Sequence, residues 1–391
     1  MATVALAFPR PRTLSPAVVG LIGFLTLVDL FATQAILPSL AARYGASPAA
    51  IGLAANASTL GMAVAGLLAG VLGRWVDRRR GVVLSLTLLA VPTTLLSLAP
   101  NLTAFALLRV AQGLCMATAF TLTLTYLAER CTERGATNAL AGYVTGSVAS
   151  NLVGRLVAAT LAGQFGASAS FYFFAALNLA GAALVARALS RGAPMMSAEA
   201  GGAPFWSGWQ RHLGNARLLR LYEIGFLILF GFIGAFSYVG FVLMQPPIAL
   251  SMGALGLVFL VFAPAMATTP LAGTVANRIG PRRALAGSLA LAIVGLPLLA
   301  SGQIVAILAG LTLLGVGTFF AQAVATGQVG RHADSDRAAA SGLYLSFYYC
   351  GGLAGAAAVG QIFDRLGWTA ACASVGIALA AAALLSIGGR R

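Results

Sequence analysis

From Val18 to Ile387 the chain repeats one pattern: an apolar stretch long enough to cross a membrane, then a short gap marked by Gly, Pro and Arg. A helix crossing about 30 Å of hydrocarbon takes roughly 20 largely apolar residues. The pattern predicts twelve helical spans, near residues 18–38, 49–72, 82–98, 102–127, 136–162, 169–188, 221–245, 251–276, 284–300, 304–329, 338–363 and 368–387. They fill nearly the whole chain. The expected fold class is therefore all-α integral membrane, with twelve transmembrane helices in two pseudo-repeat six-helix bundles.

Composition agrees. Of 391 residues, 59% are hydrophobic and 8% charged, more apolar surface than a soluble chain could bury. A net charge of +15 would suit nucleic acid if the basic residues formed one patch. They do not. All 24 are Arg; Arg109 and Arg155 lie inside spans, Arg43 and Arg365 fall in gaps on one side, and the others occupy the alternate gaps and the two tails. That asymmetry follows the positive-inside rule, places both termini in the cytoplasm and favours an even number of spans. The expected partner is the lipid bilayer, with no nucleic acid.

The longest polar segment, between Arg187 and Arg220, divides the chain near its middle. It predicts an N-terminal bundle over 1–190, a cytoplasmic linker over 191–220 and a C-terminal bundle over 221–391. Both halves carry a similar loop after their second span, GRWVDRRRG from Gly73 and GTVANRIGPRR from Gly273, as an internal repeat would. The segment before the first span ends in arginines without a small-residue cleavage site and reads as a cytoplasmic tail. Cys115, Cys131, Cys350 and Cys372 have no disulfide or metal-ligand spacing, so no metal or cofactor is expected.

These residues resemble the major facilitator superfamily over the whole chain. Its loop signature, roughly GxLxDRxGRR, is matched by Gly73, Asp77 and Arg78, and in the second half by Gly273 and Arg278, with Asn277 in place of the acid. A further family motif, RxxQG, appears as Arg109, Gln112 and Gly113. The resemblance implies the major facilitator fold, alternating access, and a gating role for the two loops. Asp77 would meet the N-terminus of the eleventh helix, where free N–H groups favour a carboxylate, and Asn277 would make a weaker twin contact near the fifth. Alternatively, Asp77 only offsets Arg78, Arg79 and Arg80. The Gly154–Arg155 pair and the segment SGLYLSFYYCGG resemble a bacterial efflux branch similar to drug/proton antiporters, which implies a monomer in the bacterial inner membrane.

Small residues recur every fourth position at Ala57, Gly61, Ala65, Ala69 and Gly73, at Gly142, Gly146, Ser150, Gly154 and Ala158, and at Gly342, Ser346, Cys350, Ala354 and Ala358. Such ridges allow helices to approach closely and slide. They are expected at the seam between halves, or in packing within one half.

Charges inside spans are the sharpest chemical signal, because each costs at least about 2.5–3.5 kcal/mol at mid-bilayer. Asp29, Arg109 and Arg155 lie at similar depth, roughly 10–13 Å from one membrane face at 1.5 Å per residue. They are expected to share an aqueous pocket. There Asp29, coupled to Arg109, would carry transported protons, and Asp29, Arg109 and Arg155 would contact substrate. The second half offers Tyr238, Gln322, Tyr344, Phe347 and Tyr348 as polar and aromatic substrate contacts.

The function this supports is proton-coupled export of a small organic solute. The alternative is an organic-anion carrier, since two arginines against one aspartate favour an anion. An intramembrane enzyme is not supported: His212 and His332 lie in loops, and no paired carboxylates or nucleophile–base pair falls in a span.

Overall fold

The computed structural model describes residues 15–75, 77–130, 133–189, 205–333 and 336–388. The tail with Arg10 and Arg12, Cys131, residues 190–204 of the linker, and Arg390 and Arg391 lie outside the described residues. So do the side chains of the loop ends, including Arg74, Glu129, Arg130, Glu133 and Arg134.

The helices are α1 (Pro16–Ala35), α2 (Pro48–Asn56, resuming as Ser58–Trp75), α3 (Arg78–Leu96), α4 (Leu102–Arg130), α5 (Glu133–Phe165) and α6 (Ala167–Ala188), then α7 (Ala216–Met244), α8 (Met252–Ile279), α9 (Pro281–Leu299) and α10 (Ile304–His332). A last stretch, Arg337–Ile387, is broken at Gly367 (φ 81°) into α11 and α12. Ten stretches, this one included, are long and apolar enough to cross a membrane. With the break at Gly367 and the 33-residue α5, twelve crossing helices are present among the described residues, as expected.

Local chemistry sets the starts. Ser15 and Ser47 cap α1 and α2 just before Pro16 and Pro48, and Asp77, Asn215, Ser251 and Asp336 cap α3, α7, α8 and α11. Each side-chain oxygen takes up an N–H that has no partner in the first turn. The first span was expected to reach residue 38, but α1 stops at Ala35 and a short helix, Leu37–Tyr44, follows; Pro38 supplies no N–H to continue the ladder. α7 begins at Ala216, earlier than 221, because Asn215 accepts from Arg217 N and Leu218 N. The hydropathy pattern stops at Arg217 and Arg220, whereas the backbone does not.

α1–α6 and α7–α12 form two bundles. Across the seam, α2 lies along α11: Ser346 Oγ donates to the Ala63 carbonyl at 2.8 Å, and Gly66 and Gly342 meet backbone to backbone. The second seam pairs α5 with α8, where Gly256 abuts Leu156 and Ala159, and Gly163 abuts Met252 and Gly253.

The small-residue ridges distribute differently from the seam expectation. On α5, Gly142, Gly146 and Gly154 press against Pro16, Gly20 and Val28 of α1, within one bundle. Gly61 faces Val110 and Leu114 of α4, and Cys350 is exposed. Gly342 and Ser346 on α11 do lie on the seam. Period-four spacing brings any two helices close; it does not select the neighbour.

Candidate functional site

Between the bundles lies a cavity of ≈ 440 Å³. Its wall is mostly apolar, from Leu27, Leu30 and Phe31 on α1, Phe120 and Leu124 on α4, and Phe232 on α7. Polar groups enter from Ser147 on α5, Thr269 on α8, Gln322 and Thr326 on α10, and Tyr344, Tyr348 and Tyr349 on α11. Among the described residues no charged side chain lines it. Ser341, Tyr344, Leu345, Tyr348 and Tyr349 recur at helical spacing along one face of α11.

The cavity extends toward the end where α10 finishes, at Thr326 and Val329, and α11 starts, at Ser341. The opposite end is sealed. There Tyr238 donates from its hydroxyl to the Ala356 carbonyl at 2.5 Å, and its ring packs over Gly52 and Gly360, where no Cβ would fit. Beside it, both carboxylate oxygens of Asp364, near the end of α11, accept from Ala49 N in the first turn of α2, at 3.2 and 3.3 Å. A carboxylate at a helix N-terminus satisfies a free N–H and the positive end of the dipole.

Of the residues expected to touch substrate, Gln322, Tyr344 and Tyr348 line the cavity. Asp29, Arg109, Arg155, Tyr238 and Phe347 do not. Phe347 is turned toward Tyr222, ring centroids 5.4 Å apart, and Tyr238 belongs to the sealed end. The shared aqueous pocket for the three charges is not formed, and α1 explains why. At about 100° per residue, Asp29 and Phe31 point about 200° apart. The Asp29 carboxylate faces α3, α4 and α6, while Phe31 faces Arg155 and the cavity.

Asp29 is 3% exposed. Its Oδ1 accepts from Thr93 Oγ1 at 3.2 Å and from Gln112 Nε2 at 3.4 Å, while Oδ2 meets no donor among the described residues. Asn178 joins from α6 by donating to Thr93 Oγ1 at 3.3 Å. Arg109, fully buried, does not pair with the carboxylate. It donates to Gln112 Oε1 at 2.6 Å, to the carbonyls of Ala55 (2.7 Å), Asp29 (3.2 Å) and Leu30 (3.5 Å), and to Ser58 Oγ at 2.9 Å. Gln112 thus bridges acid and base. The Ala55 and Ser58 contacts flank the break in α2, where Thr59 Oγ1 takes the Asn56 carbonyl at 2.7 Å. Carbonyls released by an irregular turn inside a bilayer need such internal partners. Gly113 completes the motif by letting α4 meet the Ser58 carbonyl of α2 without a side chain between them.

Arg155 is also fully buried. Its guanidinium carbon lies 4.9–5.9 Å from the ring centroids of Phe31, Phe232, Phe236, Phe259 and Phe262. Nη2 donates to Gln34 Oε1 at 2.5 Å. Gln34 Nε2 donates to Asn56 Oδ1 at 2.7 Å, and Asn56 Nδ2 donates to Ser237 Oγ on α7 at 3.0 Å. A chain of side chains therefore runs from Arg155 through α1 and α2 into the other bundle. Gln34, Asn56, Asn151 and Asn178 were not singled out in the sequence. A span amide, costly unless hydrogen-bonded, was the signal available.

Of the loop motif, Asp77 accepts from Arg80 N at 2.8 Å and caps α3. Arg78 is buried. The N-terminus of α11 is capped by its own Asp336, which accepts from Ala339 N at 3.1 Å. Gly273, Asn277 and Arg278 are exposed, and Asn277 Oδ1 accepts from Arg331 Nη2 at 3.0 Å.

The family model described as Major Facilitator Superfamily matches residues 19–267 and 244–388. An uncharacterized transporter of Buchnera aphidicola subsp. Schizaphis graminum is 27% identical over 365 residues, 93% of this chain and 88% of that relative. The inner membrane transport protein YnfM of Escherichia coli is 25% identical over 363 residues, 93% and 87% of the two chains. Among solved structures, the nucleoside transporter NupG superposes with TM-score 0.76 at 14% identity, covering 95% of this chain and 98% of that one. A bacterial homolog of the human lysosomal transporter Spinster, in an inward-facing and occupied conformation, does so with TM-score 0.77 at 14% identity, covering 95% of each. These relatives are transporters, not enzymes. With both halves matched and the architecture shared, the chain is a multi-pass membrane transporter that belongs to the Major Facilitator Superfamily.

Proposed function

We propose that the protein works as a monomer in the bacterial inner membrane and exports a small organic solute by alternating access, in exchange for protons. The observation that carries this reading is the cavity between the bundles. It reaches one end of the molecule and is sealed at the other, with the only carboxylate buried mid-span among the described residues, Asp29, directly beside its wall residues Leu30 and Phe31. With both termini in the cytoplasm, as the arginine distribution implies, the cavity faces inward, ready to load an exported solute. The apolar wall with Tyr344, Tyr348 and Gln322 suits an amphiphilic or aromatic molecule.

Asp29 is the proton carrier in this scheme. Its free Oδ2 takes the proton, and loss of charge weakens the bonds from Thr93 and Gln112 to Oδ1. Gln112 then releases Arg109, which holds Ala55 and Ser58 on either side of the α2 break. Protonation thereby reaches the helix that lies on the seam. Asp77, bonded to Arg80 N while the cavity is open to this side, crosses to α11 when that side closes.

The test is flux in reconstituted vesicles, using a compound selected by thermal-shift screening. Asp29→Asn is expected to abolish transport driven by an imposed pH gradient and to leave solute exchange intact. Undiminished gradient-driven transport in that variant contradicts the scheme.

A second reading, an organic-anion carrier using Arg109 and Arg155, gains support from one of the two. The hydrogen bonds of Arg109 are spent on the helices around it, whereas Arg155 has N–H groups to spare. Competition between anionic and cationic ligands, with Arg155→Ala as control, separates the readings.

A further inference from the structure

We propose that Arg155 is the receptor for the anionic group of an aromatic monoanion, and that Gln34 holds its place until that group arrives. The inference rests on the transport reading above and names the class of solute.

A guanidinium carries five N–H donors, and when buried it needs acceptors or a counter-charge. Arg155 has Gln34 Oε1 alone; Nε and Nη1 meet no acceptor among the described residues. Among the described residues no carboxylate approaches it: Asp29 points to the other side of α1, bound by Thr93 and Gln112. Five phenyl rings provide cation–π attraction, which offsets part of the burial cost but leaves the N–H groups unused. One helical turn earlier on the same face, Asn151 is fully buried, and neither its Oδ1 nor its Nδ2 has a partner among the described residues. One turn earlier again, Ser147 lines the cavity. This face of α5 therefore leads from the cavity through an unsatisfied amide to an unsatisfied cation.

The cage shares its wall with the cavity, because Phe31 and Phe232 belong to both. In the proposed binding step those two rings rotate aside and the spaces join. A carboxylate or sulfonate then accepts from Nε and, once Gln34 yields it, from Nη2 on the same edge of the guanidinium, in a charge-assisted, two-pronged bond, Asn151 Nδ2 supplies another donor, and the aromatic body stacks among the rings of the cage. A neutral or cationic analogue gains none of the charge-assisted bonds.

Occupancy is also communicated. An anion on Arg155 competes with Gln34 Oε1, and Gln34 is the middle of the chain through Asn56 to Ser237 across the seam. Binding the anion loosens a contact between the bundles near the sealed end. Export of such a monoanion against one entering proton moves charge of both species in the same electrical sense, so an inside-negative potential drives it.

The test uses the full chain in nanodiscs and three probes of one shape: 1-naphthoate, 1-naphthamide and 1-naphthylmethylammonium, with affinities from equilibrium dialysis. Wild type is expected to bind the acid at least ~10-fold more tightly than the amide, the gain of one charge-assisted contact, with the cation weakest. Arg155→Gln brings the acid down to the level of the amide and leaves the amide unchanged. Gln34→Leu keeps Arg155 but removes its internal acceptor, and tightens the acid. Equal affinity for acid and amide in wild type, absence of acid binding, or a preference that survives Arg155→Gln overturns the proposal. If vesicles couple export of a cation to protons and Arg155→Gln changes nothing, the receptor falls and the transport reading stands. If naphthoate binds as expected but never moves protons, the reverse holds.

Discussion

Arg109 is held by five acceptors on α1, α2 and α4, a task that depends on the fork of its guanidinium. A lysine ammonium is a single point of charge on a flexible stem and cannot span Ala55, Ser58 and Gln112 together. Arg109→Lys is expected to cost about 1–3 kcal/mol, the penalty of leaving buried carbonyls without a donor, and to lower the melting temperature of the purified protein even with charge preserved. An unchanged melting temperature would show that the network is dispensable. The sequence disclosed which residues are chemically unusual but not where they point. Asp29, Arg109 and Arg155 were identifiable because charges inside spans are rare. That they occupy separate environments follows from the rotation of α1, which no composition or spacing records. Gln322, Tyr344 and Tyr348 line the cavity, whereas Tyr238, of similar chemistry, lies in the seal because its position on α7 is nearer that end.

At the scale of helices, backbone proximity sets the limits. Gly146 on α5 rests on the Gly20 carbonyl of α1, leaving no room for a Cβ. Gly146→Leu is expected to force α1 and α5 apart and to reduce the yield of folded protein sharply, as judged by size-exclusion chromatography. Gly273→Ala, where a Cβ meets open space, should leave the profile unchanged. Equal behaviour of the two variants would contradict the packing described. The helices themselves were legible because hydrocarbon thickness fixes their length. Their ends were less so, since caps such as Asn215 and breaks such as the one at Pro38 act through hydrogen bonds rather than hydropathy. The break at Ala57 in α2 had no hydropathic trace at all, though it is where Arg109 and Asn56 converge.

For the molecule as a whole, the two ends of the seam act against each other. Asp364 fastens α11 to the start of α2 at the sealed end, a contact worth about 1 kcal/mol for a carboxylate at a helix N-terminus, or roughly fivefold in population. In Asp364→Ala, spin labels at Ala42 and Leu366, both exposed near that end, are expected to show more of the long-distance state. Asp77→Asn, which keeps the α3 cap but loses the charge for a contact with α11, should show less of it. No shift, or the same shift in both, would refute the paired arrangement. The two-bundle plan was readable from the repeated loops at Gly73 and Gly273, whereas Asp364 lies just past the eleventh expected span, 338–363, where hydropathy gives no sign of its contact with α2.

Central to this account is that Asp29 carries the proton that solute movement displaces. The most direct measurement is the pH inside vesicles, read by a trapped dye, after a solute gradient is imposed across reconstituted wild type and Asp29→Asn. Wild type should move protons in step with solute, while the variant exchanges solute and leaves the internal pH flat. Proton movement of equal size in Asp29→Asn would contradict the account.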